Sequence, residues 1–124
     1  MQAMEAVIAW LSDRHDHILG KEKAALVALE NGDLDTYRTL LREKAESVAS
    51  MAKDAKDVLA ALPDEQKGQI FRKLVAFSNS AAFGLKVQSV FYWRVLLYRD
   101  DHEVGDPDTL QEFINQLREG ALGE

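Results

Sequence analysis

The sequence predicts an all-α fold: an antiparallel helical bundle of three long helices, at about 3–30, 34–62 and 64–99, with a short fourth at about 107–119. Three observations carry this. Large apolar residues recur in alternating steps of three and four along most of the chain, the spacing of one helix face rather than of a strand. Only Pro63 and Pro107 interrupt 124 residues, so long helices are not broken from within. The turn signals Asn31-Gly32-Asp33 and Asp106-Pro107 fall between the periodic runs. The length fits one domain, residues 1–124.

The first helix carries its seam on Met4, Ile8, Leu11, Ile18, Ala25 and Leu29, widened by Leu19 and Leu26. Two seam slots are polar, His15 and Glu22. Gly32 suits a left-handed cap and Asp33 can cap the helix that follows. The second seam is Leu34, Tyr37, Leu41, Val48, Met51, Ala55, Val58 and Leu62, with Lys44 or Ala45 at its irregular step. Pro63 opens the third helix, where a missing N–H costs little. That helix has the stripe Ile70, Leu74, Phe77, Ala81, Leu85, Gln88, Phe91, Val95 and Tyr98, which makes Gln88 a third polar interior residue. Asp106 is the expected cap of the fourth helix, with Pro107 at its first position and Leu110, Phe113, Ile114 and Leu117 on its apolar face. Short connections make consecutive helices antiparallel neighbours.

Charge is laid out unevenly. From Gln66 to Arg99 there is no Asp or Glu, but Lys67, Arg72, Lys73, Lys86, Arg94 and Arg99 are present. All 21 acidic residues lie elsewhere. From Leu74 to Leu85 there is no charge at all, which implies cover on more than one side of the third helix. The short fourth helix reaches only the level of residues 89 to 98, so the other half is expected to hold an open groove. Trp10, Phe71, Val75 and Phe83 are the apolar residues left unused there. Ala76, Ser80 and Gly84 form a strip of small residues that lets another helix approach closely. These seven residues are the expected interface, and a homodimer through the third helix is the expected occupant.

Several classes are excluded. There is no Cys, hence no disulfide and no thiolate metal site. The N-terminal stretch lacks a basic region and meets Asp13 too early for a signal peptide, so a cytoplasmic protein is expected. Polar and basic residues inside the third helix argue against membrane insertion. A net charge of −6 argues against nucleic acid as partner. No Glu is followed three residues later by His, which rules out a di-iron bundle. Asp13 and His17 share a face, and residues 100 to 108 gather five carboxylates and His102, but solvated surface accounts for both, so no metal is expected. No nucleophile motif, P-loop or dinucleotide fingerprint occurs, so neither catalysis nor a cofactor is expected.

His15 and Glu22 remain as the chemistry inside the bundle. With a turn centred on Gly32, Glu22 falls level with Arg42 and Lys44, and an ion pair is the plain account. His15 falls level with Ala49 and with Phe77 or Ser78, as a hydrogen-bonded core histidine. The alternative is a small-molecule or metal-responsive sensor using these two residues. His15→Leu separates them, since a packing role leaves stability equal or higher.

The run LENGDLDTYRTLLREKAESV, Leu29 to Val48, loosely resembles the helical hairpin of flagellar export chaperones, where a Gly-Asp turn precedes a Leu- and Lys-bearing helix. The resemblance is confined to this hairpin and to features common to helical hairpins. It implies a protein that binds a partner segment by helical packing. The expected function is therefore a non-catalytic interaction protein that self-associates and binds a partner protein or peptide.

Overall fold

The computed structural model describes residues 2–120, and all of their regular structure is helical. The helices are α1 (Gln2–Glu30), α2 (Leu34–Ala49), α3 (Met51–Asp54), α4 (Lys56–Leu59), α5 (Asp64–Lys86), α6 (Val90–Val95) and α7 (Thr109–Arg118). Gly32 at φ 75 ends α1, and Asp33 caps α2 by accepting from the Thr36 N–H at 3.1 Å. Contacts between α1 and α2 run in opposite sequence order: Lys21 meets Glu43, and Arg14 meets the Ser47 carbonyl. α2 packs against both α1 and α5, α6 folds onto α2 and α5, and α7 lies on α1. Leu11, Ile18, Val48, Met51, Leu59, Ile70, Leu74, Leu110 and Ile114 are almost wholly buried between them. Each large side chain of this kind contributes about 1.5–3 kcal/mol.

The expected second helix, 34–62, is broken twice, and its first break has a visible cause. Ser78 of α5 inserts its hydroxyl between two backbone groups that would otherwise bond each other. Its Oγ donates to the Val48 carbonyl at 2.9 Å and accepts from the Ala52 N–H at 3.1 Å. Arg14 draws off the Ser47 carbonyl at 2.8 Å. Side chains inserted into the ladder in this way break or bend a helix. Ser50 and Ala55 keep right-handed conformations at the breaks, so Met51, Ala55 and Leu59 still reach the core.

The expected third helix, 64–99, ends at Lys86. Gln88 turns left-handed at φ 53. Its N–H bonds Leu85 and the next N–H bonds Gly84, both at 3.2 Å, which is a Schellman ending. Ser89 then caps α6 by accepting from Tyr92 at 3.1 Å. Gln88 is exposed, not interior as the stripe implied. A Cβ is disfavoured in this conformation by about 1–2 kcal/mol, so Gln88→Gly should raise stability by about 1 kcal/mol. An increase in thermal midpoint checks this; a decrease would show that the side chain matters.

The fourth helix also differs. Asp108, not Asp106, caps α7, accepting from the Gln111 N–H at 2.7 Å. Leu97, left-handed at φ 77, presents its carbonyl to both the N–H and hydroxyl of Thr109, at 2.8 and 2.9 Å. This turns α7 back along α1, where Arg118 reaches Ser12 and Phe113 meets Phe77 at 6.4 Å between ring centroids. α7 therefore reaches the middle of α1, at Ser12 and His15, rather than the level of residues 89 to 98. Asp100 and Asp101 do not follow a helix end, because α6 stops at Val95. Exposed apolar residues collect instead at the α1–α2 tip (Leu26, Val27, Leu29, Leu34) and on α5–α6 (Phe83, Val87, Phe91).

Candidate functional site

Of the three expected interior polar residues, His15 is buried and Glu22 half-buried, and each has found a specific partner. Glu22 accepts from the Tyr98 hydroxyl at 2.6 Å through Oε1 and meets the Lys44 ammonium at 2.7 Å through Oε2. Oε2 has no other partner among the described residues. Lys44 has no exposed surface. Its ammonium also donates to the Arg94 carbonyl at 3.1 Å and lies 5.2 Å from the centre of the Tyr98 ring. Burial pushes the Lys44 ammonium below its ordinary pKa, and Glu22 and Asp108 pull it partly back. Burial and then the Glu22 hydrogen bond push the Tyr98 phenol up. One carboxylate thus ties α1 to α2 and to the irregular run after α6.

His15 meets Asp108 instead of Ala49 or Ser78. Nε2 and Oδ2 lie 2.8 Å apart, with side chains 7% and 4% exposed. An ionised carboxylate only accepts, so Nε2 carries the hydrogen. The other Asp108 oxygen caps α7, so a single residue both starts α7 and fixes it to α1. The loop of residues 100 to 108 does not gather carboxylates about a point. Asp108 turns inward, His102 bonds the Asp106 carbonyl at 2.8 Å and packs on Tyr98, and Arg99 pairs with Glu112. Asp13 and His17 are both exposed. Among the described residues no group of three or more His, Asp or Glu forms a metal cage.

The seven expected interface residues do not form one surface. Trp10 lies under Arg14, which holds Asp54, and Phe71 lies under Lys56, so both flank the broken α3–α4 run. The Arg14 hydrogen bond holds the Asp54 carboxyl below its usual range. Val75 packs partly buried against the core. Ala76, Ser80 and Phe83 lie along the outer side of α5. Ala76 and Ser80 line a cleft of about 440 Å³, with Lys73, Phe77, Tyr92, Val95 and Asp100 also on its walls. Phe83 is 56% exposed and meets Tyr92 edge-on. Gly84 is buried under α6. A Cβ there would come 2.5 Å from Tyr92 and 3.3 Å from Trp93. Gly84→Ala should therefore push α6 outward and cost about 1–3 kcal/mol, read by denaturant unfolding. An unchanged midpoint would mean that α6 is not seated as described.

Sequence reasoning placed Lys44 level with Glu22 but missed Tyr98 and Asp108. The only signal for Asp108 was a second capping residue just after Pro107. No helix among the described residues is long and apolar enough to cross a membrane. Comparison with protein-family models, curated proteins and solved structures finds no match for this chain.

Proposed function

We propose that this chain is a non-catalytic interaction protein, an antiparallel helical bundle that offers the outer side of α5 and α6 to a helical segment of a partner protein. The observation that carries the reading is the exposure of Phe83, Val87 and Phe91 (56%, 50% and 70%) beside a face with no charge from Leu74 to Leu85. Isolated exposed apolar residues are ordinary, but several on adjoining short elements mark a contact surface. Ala76, Ser80 and Ala82 leave the α5 backbone close to the surface, so a partner helix can pack near it. The interior polar residues support the same reading, since His15 and Glu22 are occupied by Asp108, Lys44 and Tyr98. The likeness of Leu29–Val48 to export-chaperone hairpins fits it too, because those chaperones hold a partner segment by helical packing.

Self-association through the same face is the second reading, favoured by the exposure of Phe91, which a second copy would cover. The first reading is tested by titrating a synthetic amphipathic peptide, about 20 residues long with a Leu/Ala face, into isotopically labelled protein. Amide shifts confined to residues 76 to 95, and lost in Phe83→Asp, are expected. Shifts at the α1–α2 tip, or none, would contradict it.

A further inference from the structure

The charges around the proposed contact face go further and specify its partner; this step rests on the reading just given. Lys73 and Lys86 bracket the charge-free run on α5, 13 positions apart in the chain, or about 20 Å along a helix. Arg72, Lys86 and Arg94 are exposed and form no ion pair among the described residues. Lys73 lies over the Phe77 ring, 5.4 Å from its centre, at the rim of the cleft. By contrast Arg14, Lys21, Lys44 and Arg99 each hold a carboxylate. In a chain with 21 acidic residues, none lies between Gln66 and Arg99. The face therefore has a charge-free middle and exposed basic residues towards both ends that hold no carboxylate, Asp100 being the acidic residue on the wall of the adjoining cleft.

We infer that its occupant is an amphipathic helix of a different protein, with Leu- or Ala-rich contacts in the middle and Asp or Glu at both ends. A second copy is a poor match. In a two-fold pair each residue of the patch meets the same patch on the other copy. Antiparallel α5 helices would set the Lys73 end over the Lys86 end, and parallel ones would set like over like. Either way Lys73 and Lys86 face basic groups of the other copy. An anionic membrane is also a poor match. A helix lying in a bilayer surface needs a broad face of bulky apolar residues. Here Ala76, Asn79, Ser80 and Ala82 occupy most of the outward positions, and the chain's net charge of −6 opposes approach.

The test uses three versions of one fluorescent amphipathic peptide, differing only in their end residues: Glu, Gln or Lys. Binding to the full chain is measured by anisotropy at low salt. The Glu-ended peptide is expected to bind roughly tenfold more tightly than the Lys-ended one, as two or more exposed ion pairs allow. The difference should shrink with added salt. The double variant Lys73→Glu/Lys86→Glu should reverse the order, and Lys73→Gln/Lys86→Gln should abolish it; both alter exposed side chains only. Three results would overturn the inference. Equal binding of all three peptides, lost together in Phe83→Asp, would leave the contact face standing and remove its charge selectivity. Binding of none would remove both. Binding of the protein to vesicles rich in phosphatidylserine, in preference to the Glu-ended peptide, would make the face a lipid surface.

Discussion

Glu22→Leu should lower unfolding free energy by about 3–5 kcal/mol, because it leaves the Lys44 ammonium buried without its counter-charge. Lys44 has no exposed surface, and what remains around it is a carbonyl, the face of Tyr98 and the weaker pull of Asp108. The loss should depend on pH, with a sign fixed by burial. Lys44 has a folded pKa below the value of 10.5 that it takes when unfolded. Between those two values the unfolded chain binds more protons, so stability rises as pH rises. Removing Glu22 removes the main group that holds the folded pKa up, and so widens this window downward. Tyr98 acts oppositely in the native protein. Its folded pKa is raised above 10.0, so its contribution is complete below that value and is lost as pH climbs towards the folded one. Urea unfolding at about pH 7 and about pH 9 separates the cases: the deficit of Glu22→Leu should be smaller at the higher pH. Glu22→Leu/Lys44→Met should restore most of the loss, since an apolar pair commonly replaces a buried ion pair at little cost. A deficit that is equal at both pH values would show that Lys44 is not the source.

Asp108→Ala should cost about 2–4 kcal/mol, from loss of a helix cap and of a buried hydrogen-bond partner. Its two oxygens serve the Gln111 N–H and His15 separately. Asp108→Asn keeps the cap and should retain about half of the stability at stake. His15→Leu strands Oδ2 of Asp108 and should cost about 1–3 kcal/mol, contrary to the equal or higher stability that a packing role level with Ala49 and with Phe77 or Ser78 implies. Hydrogen exchange locates the effect: amides of α7 should lose protection first in Asp108→Ala, while those of α2 hold. Uniform loss across both helices would mean that the pair does not act through α7.

Much of this was legible in the residues. The first helix, the Gly32-Asp33 turn, the all-helical class and the Glu22–Lys44 level all follow from spacing and cap chemistry. The breaks were not. Ser78 severs the second helix from 26 positions away in sequence, and no local pattern announces a hydroxyl placed against a distant carbonyl. Gln88 takes a left-handed turn normally reserved for Gly or Asn, so the apolar period simply appeared to continue through Phe91 and Val95. Folding α6 back buries Trp93, Leu96 and Leu97 and leaves Phe91 outside, the reverse of what one straight stripe implied. The groove was misplaced for the same reason. A third helix running to residue 99 would have kept the fourth beside residues 89 to 98, whereas the bend at Leu97 brings it to Ser12 and His15. What remains exposed is the outer side of α5–α6, which keeps Ala76, Ser80 and Phe83 from the expected interface and puts Gly84 underneath.

On the proposed reading this face is open in the isolated chain and is taken by a different protein. Absolute mass by light scattering on a size-exclusion column, across low micromolar concentrations, tests it most directly. The account predicts one species at 13.9 kDa, with no change on adding salt. A stable species of twice that mass, dissociated by Phe83→Asp, would contradict it and give the face to a second copy of the chain.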